Sequence, residues 1–171
     1  DDEGETGPIL HAKTLAIDES KNAGELRSQL SLLAADVAVE TLAGLAEGRW
    51  TPRPQSEARA SQAPLLEAGE TRIDWSLSAS VLSRRIRACN PSPGARTEIG
   101  GLKLFIDRAQ PAGAASGQPG TLLESRFDGI VVACGENTTL RVTQLHLEGQ
   151  RSMSPSAFIS RHRLNAGARF S

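Results

Sequence analysis

Between Thr51 and Glu70 the chain loses every hydrophobic period. The stretch TPRPQSEARASQAPLLEAGE carries three prolines and many small polar residues, with Leu65–Leu66 as its only apolar anchor. Such a composition makes an extended, semi-stiff connector over a surface. No single core can run through it, so the chain must fold in two parts: residues 1–49, a linker over 50–71, and residues 72–171. A length of 171 residues suits one ordinary domain plus part of another. Charge divides at the same place. Residues 1–71 hold six Lys/Arg against thirteen Asp/Glu, and residues 72–171 hold thirteen against seven, net −7 and net +6. A basic half implies a polyanion nearby, with a solvated basic face as the alternative.

The first part opens with DDEGETGPILHAKTLAID, which reads as an acidic loop, a short strand through Ile9–Leu10 and an apolar patch at Leu15–Ile17. In the segment that follows, Leu26, Leu30, Leu33, Val37, Leu42 and Leu45 recur mostly every three or four residues, one stripe of an amphipathic helix. Asn22 is the expected N-cap with Glu25 three residues on, and Gly48 the expected stop. One helix and a strand or two cannot close a core, so this part reads as the tail of something larger. The chain starts at Asp1 rather than Met, which fits a fragment or a processed product. Apolar residues at 39% and charged residues at 23% argue against wholesale disorder. No apolar run approaches ~18 residues and no signal segment is evident, so the expected location is the cytoplasm, away from membranes. Cys89 and Cys134 read as buried reduced thiols. His11, His146 and His162 are scattered without ligand spacing, so no metal is expected.

The second part changes style. Ser78 is expected to cap a helix to about Ala88, with Val81, Leu82 and Ile86 inward and the arginines on the other sides. Asn90-Pro91 ends it, because the residue before proline avoids the helical region. ARTEI and LKLFIDRA flank Gly100-Gly101, a hairpin signal. A Gly/Ala/Ser loop is expected over residues 112–120. GTLLESR, FDGIVVACG and TTLRVTQLHLEG then bring the count to five or six strands. That spacing predicts a mainly β fold, a small OB-like barrel with short helices, and SPSAFISRHRL reads as a closing helix. The aromatics Trp75, Phe105, Phe127, Phe158 and Phe170 are too few for single-strand stacking. Phosphate contact with a folded nucleic acid is the better expectation.

These residues carry a resemblance. TGPIL, N-A-G-E-L, P-x-P-Q and A-P-x-L, then RIDWSLSA, IRA-x-NP-x-PGA, PGT, VACG and Q-R-S-M-S, stand in the order and spacing of the methionyl-tRNA formyltransferase family, over essentially the whole chain. That family moves a formyl group from 10-formyltetrahydrofolate to the amino group of methionyl-initiator tRNA, in translation initiation. The resemblance implies that residues 1–49 are the end of a Rossmann-like catalytic domain and residues 72–171 a C-terminal OB-like barrel that docks tRNA. The family's paired asparagine and histidine and its S-L-L-P stretch have no counterpart here. Its D-x-G-x-D-T-G-P loop stands as Asp2-Glu3-Gly4-Glu5-Thr6-Gly7-Pro8, one residue short, with Glu5 at the catalytic aspartate's place. Two further departures remove a tyrosine and a lysine at Gln62-Ala63-Pro64-Leu65-Leu66 and a tryptophan at Ser92 of Asn90-Pro91-Ser92-Pro93-Gly94.

On this reading the chain alone binds no folate and is inactive. It would be a monomer contributing tRNA docking, with Arg84, Arg87, Lys103, Arg108, Arg141, Arg151, Arg161 and Arg163 as candidate phosphate contacts. Arginine's planar fork suits phosphate oxygens. Arg85 lies about 100° round the helix from Arg84 and is expected to point elsewhere, while Arg72 could simply tie to Asp74. Two alternatives stay open: another folate-dependent formyltransferase acting on a small substrate, and a non-catalytic tRNA-binding module.

Overall fold

The computed structural model describes residues 7–64, 66–67 and 69–171. Its helices are α1 (Ala23–Ala46), α2 (Ala79–Cys89) and α3 (Pro155–His162). Its strands are β1 (Ala95–Ile99), β2 (Leu102–Ala114), β3 (Leu122–Arg126), β4 (Gly129–Ala133) and β5 (Thr138–Leu147). The chain divides into two units, one of Asp1–Lys21 with Glu25–Leu65 and one of Asn22–Gly24 with Leu66–Ser171.

The second unit is mainly β. Its five strands form one antiparallel sheet in the order β1-β2-β5-β4-β3. The β1–β2 turn is Gly100-Gly101, with φ of 56° and 79°. Two successive positive φ values are what a two-residue hairpin of matching twist demands, and glycine meets them without strain. β2 runs on to Ala114, so the loop expected from residue 112 starts later. Its tail pairs with the start of β5, Ala114 opposite Thr138, past a further register shift between Pro111 and Gly113. The open edge of β3 is taken up by residues 167–170, and that of β1 by Ser171 together with residues 71–73. Ser171 exchanges two backbone hydrogen bonds of 2.9 Å with Glu98, Phe170 N–H reaches Gly120 O at 2.8 Å, and Leu122 N–H reaches Ala168 O at 2.8 Å. Residues 167–171, after α3, thus pair with the sheet. Covering both edges removes the unpaired N–H and C=O rows that make strand edges sticky.

The core lies between the sheet and helices α2 and α3. Leu82, Ile86, Leu104, Ile106, Ile130, Val132, Leu140, Val142, Leu145 and Phe158 are buried in it. Trp75 of the R-I-D-W-S stretch is buried too, with its ring centroid 5.4 Å from that of Phe170 and Nε1–H donating to Thr97 Oγ1 at 3.0 Å. α2 turns Leu82, Ser83, Ile86 and Cys89 inward and leaves Arg84 and Arg85 exposed. Ser78 stands at its N-cap, but its side chain does not cap. Thr138 Oγ1, at the start of β5, accepts the Ala79 N–H at 2.9 Å instead. Asn90 ends α2 with extended φ and ψ of −93° and 134°. Its backbone carbonyl accepts Gly24 N–H at 3.1 Å and its side-chain oxygen accepts Asn22 Nδ2–H at 2.7 Å. The N-A-G and N-P motifs, 68 positions apart, thus meet.

In the first unit α1 begins right after Asn22 and ends two residues before Gly48, as expected. Its apolar residues do not form one stripe, however. Leu26, Leu33 and Val37 are half-buried, whereas Leu30, Leu32, Val39, Leu42 and Leu45 are exposed. By length and composition the helix could cross a membrane. It carries Asp36 and Glu40 mid-helix, where a charge in hydrocarbon is costly. Hydrogen bonds from Lys13 and His11 to Glu40 hold that carboxyl below the usual range. Trp50 lies against Gly44, stacks on His11 at 4.5 Å and donates to Thr41 O at 3.0 Å. The strand expected through Ile9–Leu10 is a single bridge between Ile9 and Arg53.

Candidate nucleic-acid interface

Residues 71–73 run parallel to β1, fixed by Arg96 N–H to Thr71 O at 2.7 Å and Ile73 N–H to Arg96 O at 2.8 Å. This pairing sets Arg72 beside Arg96. Two cationic residues thus stand at paired positions on neighbouring strands. Arg72 joins two grooves. One, of about 300 Å³, is lined by Arg72, Arg96 and Lys103 with Glu98 and Glu148. The other, of about 650 Å³, is lined by Arg72, Arg85 and Arg169 with Asp74. Gly69, Arg72 and Ser171 border both. Five cations thus face three acids around one joined surface.

Local contacts aim several of these groups. Arg96 Nε–H donates to Thr71 Oγ1 at 2.9 Å, and Arg169 donates from an Nη to Pro119 O at 3.3 Å. Asp74 is drawn the other way: Ser76 Oγ–H and N–H reach it at 2.6 and 3.0 Å. Those bonds, with help from the Arg85 charge, hold its carboxyl below the usual range. Arg72, Arg85 and Lys103 have no ion-pair partner among the described residues. A planar or tetrahedral oxyanion could therefore be gripped from several sides.

The eight cations expected from sequence do not gather in one place. Lys103 lines the first groove, and Arg108 lines a separate cavity of the sheet unit. Arg84 is exposed on α2, and Arg87 is half-buried with a partner of its own. Arg141 is ion-paired with Asp128. Arg151, Arg161 and Arg163 are exposed in the loop before α3, on it and just after it. Sequence reasoning missed Arg96 and Arg169, and set aside Arg72 and Arg85. The one local hint was Arg72 and Arg96 flanking R-I-D-W-S and the first strand. Glu5 lies outside the described residues. Of the aromatics, Trp75, Phe158 and Phe170 are buried and Phe105 is half-buried. Phe127 alone stands exposed, at 90%.

No group of three or more metal-binding side chains occurs among the described residues. Both cysteines are free and buried. Burial pushes the Cys134 thiol up to about 11 and raises that of Cys89. Because the thiolate is the nucleophile, neither should react with iodoacetamide at pH 8 in the folded chain, and both should react in denaturant. Mass spectrometry of the labelled protein checks this. Rapid labelling of Cys134 without denaturant would contradict its burial.

Residues 65–163 match the family model described as "Formyl transferase, C-terminal domain". The chain is 40% identical to the methionyl-tRNA formyltransferase of Myxococcus xanthus over 168 residues, covering 98% of this chain and 53% of that protein. It is 36% identical to that of Pseudoalteromonas translucida over 159 residues, covering 91% of this chain and 49% of that protein. The chain thus spans about half the length of the curated relatives it matches. Among solved structures, a multiply substituted HypX from Aquifex aeolicus superposes with a TM-score of 0.70 at 21% identity, over 96% of this chain and 29% of that one. HypX in complex with tetrahydrofolic acid gives 0.66 at 22% identity, over 90% and 27%.

Proposed function

The chain belongs to the formyl transferase C-terminal domain family, and from that premise we propose that it serves methionyl-tRNA formyl transfer by docking the tRNA. The whole enzyme would move the formyl group of 10-formyltetrahydrofolate to the amine of methionyl-initiator tRNA in the cytoplasm, and the folate would be a substrate of that enzyme, not a ligand of this unit. The names of the relatives favour this reading. The tetrahydrofolic acid bound by HypX fits a folate substrate for the broader family.

Residues 72–171 would form an OB-like barrel, a reading supported by the tail that pairs with both sheet edges. Residues 1–49 would be the end of a Rossmann-like catalytic domain whose remainder covers the exposed leucines of α1, with the linker over 50–71 between them. We expect a monomer that engages neither metal nor membrane. If that division holds, limited proteolysis should cut first between Thr51 and Glu70, where extended proline-rich backbone has few partners. First cuts within 95–150 would overturn the domain map.

The observation that carries the tRNA reading is that Arg72 joins two grooves, one lined also by Arg96 and Lys103 and the other by Arg85 and Arg169. A phosphate backbone laid along the joined grooves would meet these cations in succession. A small nucleotide-sugar or folate substrate would need only one such anion site. The test is titration of tRNA into the chain across salt concentrations, with substitutions at the groove cations. Binding that ignores salt, or no binding at low salt, would remove the role.

A further inference from the structure

Asp107 is the extra residue of a bulge in β2. Ile106 pairs with Leu145 and Arg108 with Gln144, so two steps of β2 oppose one step of β5. Neighbouring strand residues ordinarily face opposite sides of a sheet. Here the bulge lets Asp107 and Arg108 line the same cavity, the re-aiming that bulges perform near functional sites. The cavity holds about 330 Å³ and shares no lining residue with the two basic grooves. That volume falls at the low end of the ~300–1,000 Å³ typical of small-ligand sites.

Asp107 organises the cavity. His146 Nδ1 lies 2.9 and 3.0 Å from its two oxygens, Ser152 Oγ–H donates to it at 2.6 Å, and Asn90 Nδ2–H donates at 3.4 Å. The imidazole also stacks on Phe105, with centroids 4.9 Å apart and planes 10° apart. A carboxylate at Nδ1 keeps the proton there in the neutral ring, so Nε2 is left as an acceptor. Nε2 has no partner among the described residues, and neither do the side-chain amides of Gln144 and Gln150 on the same cavity. Ser152 donates to Asp107 rather than to His146, so the trio is not arranged for nucleophilic attack.

What the cavity offers is two carboxamides, each able to donate and accept in one plane, beside a fixed imidazole acceptor and the Arg108 cation. A glutamine amide matches the N6/N7 edge of adenine with one donor and one acceptor. Unstacked RNA bases are typically read at their edges beside aromatic or imidazole rings, and the 2′-hydroxyl marks RNA. We infer that this cavity takes one unstacked adenosine nucleotide of the bound RNA, its base edge held by Gln144 and Gln150 and its ribose hydroxyl donating to His146 Nε2. The inference rests on the tRNA reading above and adds base recognition to phosphate contact.

The experiment is NMR titration of the isotopically labelled chain with adenosine 5′-monophosphate, its 2′-deoxy analogue and ribose 5-phosphate, beside tRNA titrations at several salt concentrations. Adenosine monophosphate should shift the Gln144, His146 and Gln150 signals, the deoxy analogue should bind less tightly, and ribose 5-phosphate should leave the amides in place. Gln144→Leu should weaken both adenosine monophosphate and tRNA roughly 2- to 10-fold, the effect of one lost hydrogen bond, without changing the salt slope. Gln144 has no side-chain partner among the described residues, so this variant should fold normally. Equal shifts from ribose 5-phosphate would make the cavity a phosphate site and overturn the inference. So would salt-dependent tRNA binding that Gln144→Leu leaves untouched. Nucleotide binding at the cavity without any tRNA binding would uphold the cavity and overturn the tRNA reading.

Discussion

Raising salt from about 50 to about 200 mM should weaken tRNA binding to this chain roughly 40- to 500-fold. Condensed counterions leave the nucleic acid as each phosphate is neutralised, which gives log K against log salt a slope near −0.9 per contact on a duplex. With three to five of the groove cations on phosphates the slope is roughly −2.7 to −4.5, and a four-fold rise in salt has the stated effect. The structure also orders the variants. Arg72→Ser and Arg96→Ser should each flatten the slope by about one unit, because Arg72 lines both grooves and Arg96 lines the first beside it. Arg141→Ser should change it little, since Asp128 already holds that guanidinium. Initiator and elongator tRNAs should respond alike to these substitutions, because phosphate contacts carry no sequence. A slope near zero, or a larger loss from Arg141→Ser than from Arg72→Ser, would sink the groove assignment.

Much of the second unit was legible because its signals are local. The period of α2, the Asn90-Pro91 stop and the Gly100-Gly101 turn each act within a few residues. The closing segment was not. Residues 167–171 have no period, and they pair only because β1 and β3, folded from other parts of the chain, present open edges. The basic surface was hidden for the same reason. Arg72, Arg96 and Arg169 come from three segments that only non-local pairing brings together, so nothing in the basic half's sequence separated them from cations such as Arg141, Arg151 and Arg161. The bulge at Asp107 left a faint trace. Leu102, Leu104 and Ile106 alternate regularly, and the alternation breaks at Arg108 where another inward residue was due. In α1 the leucine spacing correctly marked a helix but not its buried face, since apolar residues occur nearly all round it.

Gly135→Ala should be among the most damaging single substitutions in the chain, costing about 3 kcal/mol and lowering Tm by roughly 10–20 °C. Gly135 follows β4 in the V-A-C-G stretch, and its N–H lies 3.0 Å from Trp75 O and 2.9 Å from Leu77 O. A Cβ there would sit 1.7 Å from Ser76 O and 2.5 Å from Ser76 C. These are backbone atoms, so no rotamer change can relieve the clash. The R-I-D-W-S segment itself would have to move. Moving it would pull Trp75 off Thr97 and away from Phe170, which binds the loss of packing to the seam where the tail pairs with β1. Arg72 and Arg96 share that seam, so tRNA binding by the folded fraction should weaken too. Gly149→Ala is the control, because φ there is 75° but nothing lies within 4 Å of the added carbon. Its cost should be only the 1–2 kcal/mol of a left-handed backbone. Thermal melts of the three proteins decide the point. If Gly135→Ala melts within a few degrees of the parent, or above Gly149→Ala, the close approach of these two segments is not what holds the unit together.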